Sequence, residues 1–186
     1  MWIEQTPWLK EIVIDIEEDS TSFHDVKIKT TLDPNRWYTI EVKEDERFWF
    51  DKTKNVGLDA ISSFSIVRNF KKWMPYGNKG AWIKAEDFEE FKKDIEVSKW
   101  GKLFTCDADI QLFYVEGKIL KAYSNKLIVS SDFQDYVTKN YDLRINNKKR
   151  YGIFDNWKSA TYLFKPETDE EFIKIEIKSL KDFLNL

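Results

Sequence analysis

The chain has 186 residues, 42% of them hydrophobic and 34% charged, with a net charge of -3, one Cys, one His and eight Trp. That length suits one domain with a small appended element, and the apolar content excludes a disordered or collagen-like chain. No run of about 20 apolar residues spans a bilayer, and the acidic N-terminus MWIEQTPWLK does not read as a signal peptide, so the expected location is intracellular, in the cytoplasm.

A lone Cys106 excludes an internal disulfide, and with His24 alone beside it there is no Cys/His zinc cluster, so any metal must be held by carboxylates. The net charge gives no global basic signature, but the charge is unevenly distributed. Between Asp59 and Glu86 lie five bases (Arg68, Lys71, Lys72, Lys79, Lys84) and no acid, and between Asp142 and Asp155 four (Arg144, Lys148, Lys149, Arg150) and no acid. Each run reads as a phosphate-contacting surface or as a solvated face.

Along the chain, Thr6-Pro7 reads as a helix start, with Trp8, Ile12 and Ile16 on one face, although the β-branched run Ile12-Val13-Ile14 pulls toward strand. Val26 and Ile28 alternate with polar residues, Leu32-Asp33-Pro34-Asn35-Arg36 reads as a turn, and Tyr38 to Lys43 alternates again, which predicts a β-hairpin. Leu58, Ile61, Phe64, Val67, Phe70 and Trp73 recur every third residue and predict a helix over 57–74. Met74 to Gly80 is a breaker-rich loop, taken as the start of an insertion over residues 75–100 within one domain spanning 1–186. Phe88, Phe91 and Ile95 predict a shorter helix, 103–115 and 118–123 strands, and Ser130 or Ser131 a cap for a helix to Asn140. Ile173, Ile175 and Ile177 predict a strand before a terminal turn or helix over 179–184. The fold class is α/β, with a mixed central sheet flanked by helices.

The segment with chemical content is Glu41-Val42-Lys43. Alternation puts Glu41 and Lys43 on one strand face and Ile40 and Val42 on the other. Matching Val26 to Val42 and Ile28 to Ile40 sets Asp25 opposite Lys43 and Lys27 opposite Glu41; a two-residue slip sets Asp25 opposite Glu41. In either register two carboxylates and an ammonium meet, and such carboxylates call for a proton or a hard cation such as Mg²⁺. A cross-strand charge ladder on a solvated face accounts for the same pattern.

Asp25-Val26, a hairpin, and Glu41-Val42-Lys43-Glu44-Asp45 are followed by Thr53-Lys54-Asn55, Asp59, and Thr105-Cys106-Asp107-Ala108-Asp109. This order resembles the PD-(D/E)XK nuclease superfamily, in particular phage and microbial members with ExK-x-D, T-G-N, a further acid and T-x-x-A-D, over approximately residues 25–115. The resemblance implies a restriction-endonuclease-like αβββαβ core and a metal-dependent endonuclease acting on DNA, resolvase-like or restriction-like. It implies Asp25 and Glu41 as ligands of Mg²⁺ or Mn²⁺, with the Val42 carbonyl completing the set, and Lys43 assisting the attacking water. Glu11 or Glu4 on the first helix, Asp59 and Asp109 are candidate accessory acids, with a solvated face as the competing reading for Glu11 and Glu4 and a strand-end cap for Asp109. Arg68, Lys71, Lys72, Lys148, Lys149 and Arg150 are the DNA-contacting candidates, and a homodimer stays open. The sequence departs from the pattern at Lys54, where Gly is usual, at Asp59 in place of Glu, and at His24 in place of Pro. A non-catalytic nucleic-acid or protein-binding module on the same fold is the competing reading, favoured by the acidic overall charge. Trp73, Trp82 and Trp100 are candidates to stack on bases, Trp73 also for the core.

Overall fold

The computed structural model describes residues 2–18, 25–43, 56–75, 80–115, 119–147 and 158–186. In chain order the elements begin with α1 (Trp2–Gln5), α2 (Pro7–Ile12), β1 (Val13–Glu18), β2 (Val26–Thr30), β3 (Asp33–Lys43) and β4 (Val56–Ile66). Then come α3 (Phe70–Trp73), β5 (Ala81–Ile83), α4 (Phe88–Lys93), β6 (Ile95–Trp100), α5 (Lys102–Thr105) and β7 (Ile110–Val115). The chain continues with β8 (Ile119–Ser124), α6 (Asn125–Ile128), α7 (Ser131–Asn140), β9 (Leu143–Asn147), β10 (Lys158–Phe164), α8 (Glu170–Ile175) and α9 (Leu180–Leu184). The protein is thus mixed α/β. Its contacts divide it into two compact units, residues 1–56, 107–128 and 165–186, and residues 57–106 and 129–164. The expected insertion, residues 75–100, falls inside the second unit.

The first unit is built on a sheet of order β1-β2-β3-β7-β8. The first three strands form an antiparallel meander, β7 runs parallel to β3, and β8 returns antiparallel to β7. Period-2 alternation sends Ile28, Tyr38, Ile40, Ile110, Leu112 and Ala122 to one face, where they pack on Trp2, Ile3, Leu9, Ile177 and Phe183. Each Ile, Leu or Phe among them contributes about 1.5–3 kcal/mol by leaving water. The Tyr38 and Phe183 rings lie 4.7 Å apart. Ser179 closes a capping box with Asp182 that fixes the start of α9 and so the position of Phe183.

The second unit holds a sheet of order β5-β9-β10-β4-β6. Leu58, Ala60, Ile83, Leu143, Ile145, Ala160 and Tyr162 are buried. Edge-to-face ring pairs join Phe64 to Phe91 at 5.7 Å, Trp73 to Phe91 at 5.4 Å and Phe88 to Tyr162 at 6.2 Å. Ser130 caps α7, as its place before the apolar run predicts, its hydroxyl accepting from the Phe133 N–H.

Five expectations are corrected. Ile95, expected on the short helix with Phe88 and Phe91, opens β6, since α4 stops at Lys93. The segment predicted as a helix over 57–74 is the strand Val56–Ile66 with only Phe70–Trp73 helical. Two register shifts against β6, between Ile61 and Ser63 and between Ser63 and Phe64, turn a period of two into an apparent period of three, and neighbouring Ala60 and Ile61 are both fully buried. The first helix stops at Ile12 and residues 13–18 are strand, because β-branched Val13 and Ile14 favour the ladder with β2. Residues 102–105 are a helical turn, so the strand expected over 103–115 starts at Ile110. Ile173 and Ile175 belong to a helix, begun by Asp169, whose carboxylate accepts the Glu171 and Phe172 N–H groups.

Candidate active site

The site lies at the end of the β2–β3 ladder in the first unit. The register is Val26↔Ile40 and Ile28↔Tyr38, with Thr30↔Asp33 closing the turn. The chain therefore reverses at Thr31-Leu32, and Asp33 to Arg36 extend β3, where the sequence reading centred the turn on Pro34. This is the slipped register of the two considered, and it corrects the Val26–Val42 match: Lys27 faces Thr39, not Glu41.

Asp25 stands one residue beyond the last ladder pair. Its N–H donates to the Ile40 carbonyl at 3.1 Å, and its Oδ2 accepts the Val42 N–H at 2.7 Å. The first acid is thus tied to the strand segment that carries Glu41 and Lys43. Glu41 is 7% exposed, and its Oε1 lies 3.6 Å from the Lys43 Nζ.

The parallel neighbour β7 sets Gln111 beside Glu41 and Phe113 beside Lys43. Gln111 is fully buried; its amide N–H donates to the Asn125 Oδ1 at 2.6 Å, and its Oε1 has no hydrogen-bond partner among the described residues. Sequence reasoning missed it, although a Gln at an alternating position inside the apolar run Ile110–Val115 signals a polar group that must find a partner. Beyond it, β8 places Tyr123 opposite Gln111, and burial, with Glu176 nearby, pushes the Tyr123 hydroxyl pKa up.

Of the accessory acids, Asp109 is a structural clasp. Its Oδ1 pairs with the Arg36 guanidinium at 2.5 Å, its Oδ2 accepts the Thr39 N–H at 2.8 Å, and its own N–H donates to the Thr39 carbonyl at 2.9 Å, locking the start of β7 to β3. Asp59 belongs to β4 of the second unit, where its Oδ1 accepts the Thr161 hydroxyl at 3.1 Å. Glu11 and Glu4 are exposed on α2 and α1. Arg68 and Lys71 are exposed at the start of the second unit's α3, and Lys72 pairs with Glu90 at 2.6 Å while covering the Trp73 ring. Lys148, Lys149, Arg150, His24 and the Thr53-Lys54-Asn55 motif lie outside the described residues. Cys106 is buried.

Trp73 belongs to the core. Its indole N–H donates to the Asp94 Oδ2 at 2.8 Å, and Asn69 donates to the same oxygen at 2.9 Å. These hydrogen bonds from Asn69 and Trp73 hold the Asp94 carboxyl below the usual carboxylate range. Burial pushes the Lys158 ammonium pKa down.

No described helix is long and apolar enough to cross a membrane. No family model, curated protein or solved structure matches the chain.

Proposed function

We propose that the first unit is a metal-dependent nuclease that hydrolyses DNA phosphodiester bonds at Asp25, Glu41 and Lys43. The observation that carries this reading is the bond from the Val42 N–H to the Asp25 carboxylate, which ties the first acid to the strand segment that bears the Glu41–Lys43 pair. Strand order supports the restriction-endonuclease-like version: an antiparallel meander ending in the Glu41 strand, with the next strand of the same sheet parallel to it. The stretch joining β3 to β7 departs from it, since it runs through strands of a second unit where the αβββαβ core has a helix.

The donor set fits a hard ion. Asp25, Glu41 and the Val42 carbonyl offer oxygen alone, and Mg²⁺ keeps several waters, so it needs few protein ligands. Among the described residues no group of three or more His, Cys, Asp or Glu side chains gathers, so Mg²⁺, or Mn²⁺ in its place, would rest here on two carboxylates, a carbonyl and waters. When bound, the ion supplies Lewis acidity and a more acidic water.

The chain's own residues divide the work. Lys43 offsets the Glu41 charge in the resting site and presents a cation where negative charge grows on the phosphate. Asp25, anchored through Oδ2, is held in place before substrate arrives, which lowers the ordering cost of the reactive arrangement. Arg68, Lys71 and Lys72 serve as phosphate contacts. The test is incubation of the full chain with Mg²⁺ or Mn²⁺ and supercoiled, linear, single-stranded and branched DNA. Cleavage lost in Asp25→Asn and in Lys43→Ala supports the reading; wild-type protein that leaves every substrate uncut overturns it in favour of a binding module.

A further inference from the structure

We propose that Trp82 and Arg144, at the β5 edge of the second sheet, form a stacking site for unpaired bases of a nucleic-acid strand. This rests on the nucleic-acid part of the function proposed above and is independent of the hydrolytic step.

The register places Trp82 of β5 beside Arg144 of β9, and Arg144 beside Thr161 of β10. Thr161 in turn donates its hydroxyl to Asp59 of β4. Alternation therefore lines up an indole, a guanidinium, a hydroxyl and a carboxylate in one row, while Ile83, Leu143, Ala160 and Tyr162 are buried on the other face. Trp82 is 53% exposed, although the same unit buries Trp73 to 3%. The Arg144 guanidinium sits 5.8 Å from the Trp82 ring centroid and makes no ion pair among the described residues. Asp142, two residues before Arg144 in the chain, is engaged by the Lys84 ammonium at 2.6 Å and the Ala85 N–H at 3.2 Å. A cleft of about 330 Å³ opens along the same edge, lined by Lys72, Trp73, Gly80, Trp82 and Asp87. Gly80 in its wall is a position only glycine fits, since its φ is +84° and a Cβ there would meet the Ile145 carbonyl at 2.8 Å.

An exposed indole beside a guanidinium matches a base and its phosphate, because the ring supplies a π-face and the cation answers the backbone charge. A duplex hides its base faces, so the site selects unpaired strands, as at junctions or frayed ends.

The experiment uses the 186-residue chain carrying Asp25→Asn, without divalent metal, titrated with oligo-dT, oligo-U and a blunt duplex. Trp82→Ala is expected to weaken single-strand binding roughly 5- to 150-fold, the range of one lost base stack. Trp82→Phe retains most of the affinity, which separates stacking from misfolding. Arg144→Ala lowers the salt slope by roughly one unit. Trp100→Ala is the control, since Trp100 is also exposed but pairs edge-to-face with Phe104 at 5.2 Å. Equal preference for oligo-dT and oligo-U, both lost in Trp82→Ala, supports the site, as does preference for either one. Wild-type protein that ignores single strands, or Trp82→Ala that binds them unchanged, or a Trp82-dependent affinity for a proline-rich peptide in place of oligonucleotides, overturns it. Cleavage that fails while Trp82-dependent binding persists overturns the nuclease reading alone.

Discussion

The Oδ2 of Asp25 accepts the backbone N–H of Val42 at 2.7 Å, so the first acid of the hairpin is anchored to the strand bearing Glu41 and Lys43. Asn at position 25 keeps an oxygen that accepts the same N–H but removes the charge. Asp25→Asn is therefore expected to fold with a melting temperature within a few degrees of wild type, because the neutral bond loses about 1 kcal/mol or less. Calorimetry with Mg²⁺ or Mn²⁺ should show binding in wild type and none in Asp25→Asn or Glu41→Gln. Metal binding that survives both changes would locate the ion elsewhere.

Lys43 separates rate from affinity. Its ammonium lies 3.6 Å from Glu41, and on the proposed reading it acts on transition-state charge more than on ground-state DNA. Lys43→Ala is expected to lower the single-turnover cleavage rate about 10²–10³-fold with DNA affinity nearly unchanged. A matched loss of affinity and rate would make Lys43 a phosphate contact instead.

The hairpin was legible because Val26, Ile28, Ile40 and Val42 alternate with polar neighbours, and alternation is a direct image of a half-buried strand. Its register was legible only to within two residues: Pro34 and Asn35 resemble a turn centre, yet Thr30 pairs with Asp33, and only the three-dimensional ladder shows the reversal at Thr31-Leu32. Glu41 and Lys43 could be placed on one face from spacing alone, whereas Gln111 could not be placed beside Glu41, since a parallel neighbour arrives from about 70 residues away and leaves no local signal. The β4 segment misled for a physical reason: bulges at Ser63 advance the buried face by one residue, which imitates helical spacing.

The basic segment of α3 is not uniform. Lys72 is engaged by Glu90 and lies over Trp73, while Arg68 and Lys71 are exposed. Removing Arg68 and Lys71 together is expected to reduce the slope of log affinity against log salt by roughly two units, and adding Lys72→Ala to change it by less than one further unit. Filter binding or anisotropy in a salt series decides. An unchanged slope after all three substitutions would remove this segment from the DNA interface.

Asp94 ties α3 to the end of α4, accepting from Asn69 and Trp73 through its side chain and from the Val67 and Arg68 N–H groups through its carbonyl. Its carboxyl is held below the ordinary value, first by the Asn69 hydrogen bond and then by that of Trp73. A group depressed in the folded state binds fewer protons folded than unfolded, so its stabilisation is present above the unfolded value of about 3.9 and is lost as pH falls through the folded value. Melting temperature should therefore drop below about pH 4 more steeply in wild type than in Asp94→Asn, which is less stable at neutral pH and carries no titrating group there. Parallel acid limbs in the two proteins would show that the clasp does not depend on charge.

Gly101 tests the junction of β4 and β6. Its N–H donates to the Ala60 carbonyl at 2.9 Å, and a Cβ built on it would run into the backbone carbonyl of Asp59. The obstacle is main chain inside a ladder, so no rotamer change relieves it, and Gly101→Ala must push β6 away from β4 or break the Ala60 bond. Overpacking of this kind costs about 1–3 kcal/mol, which for a chain of this size lowers the melting temperature by roughly 2–12 °C. The Asp25, Glu41 and Lys43 side chains belong to the other unit, so Mg²⁺ affinity at low temperature should stay at the wild-type value while thermal stability falls. A Gly101→Ala protein with unchanged melting temperature would mean that β4 and β6 do not approach as closely as their register requires.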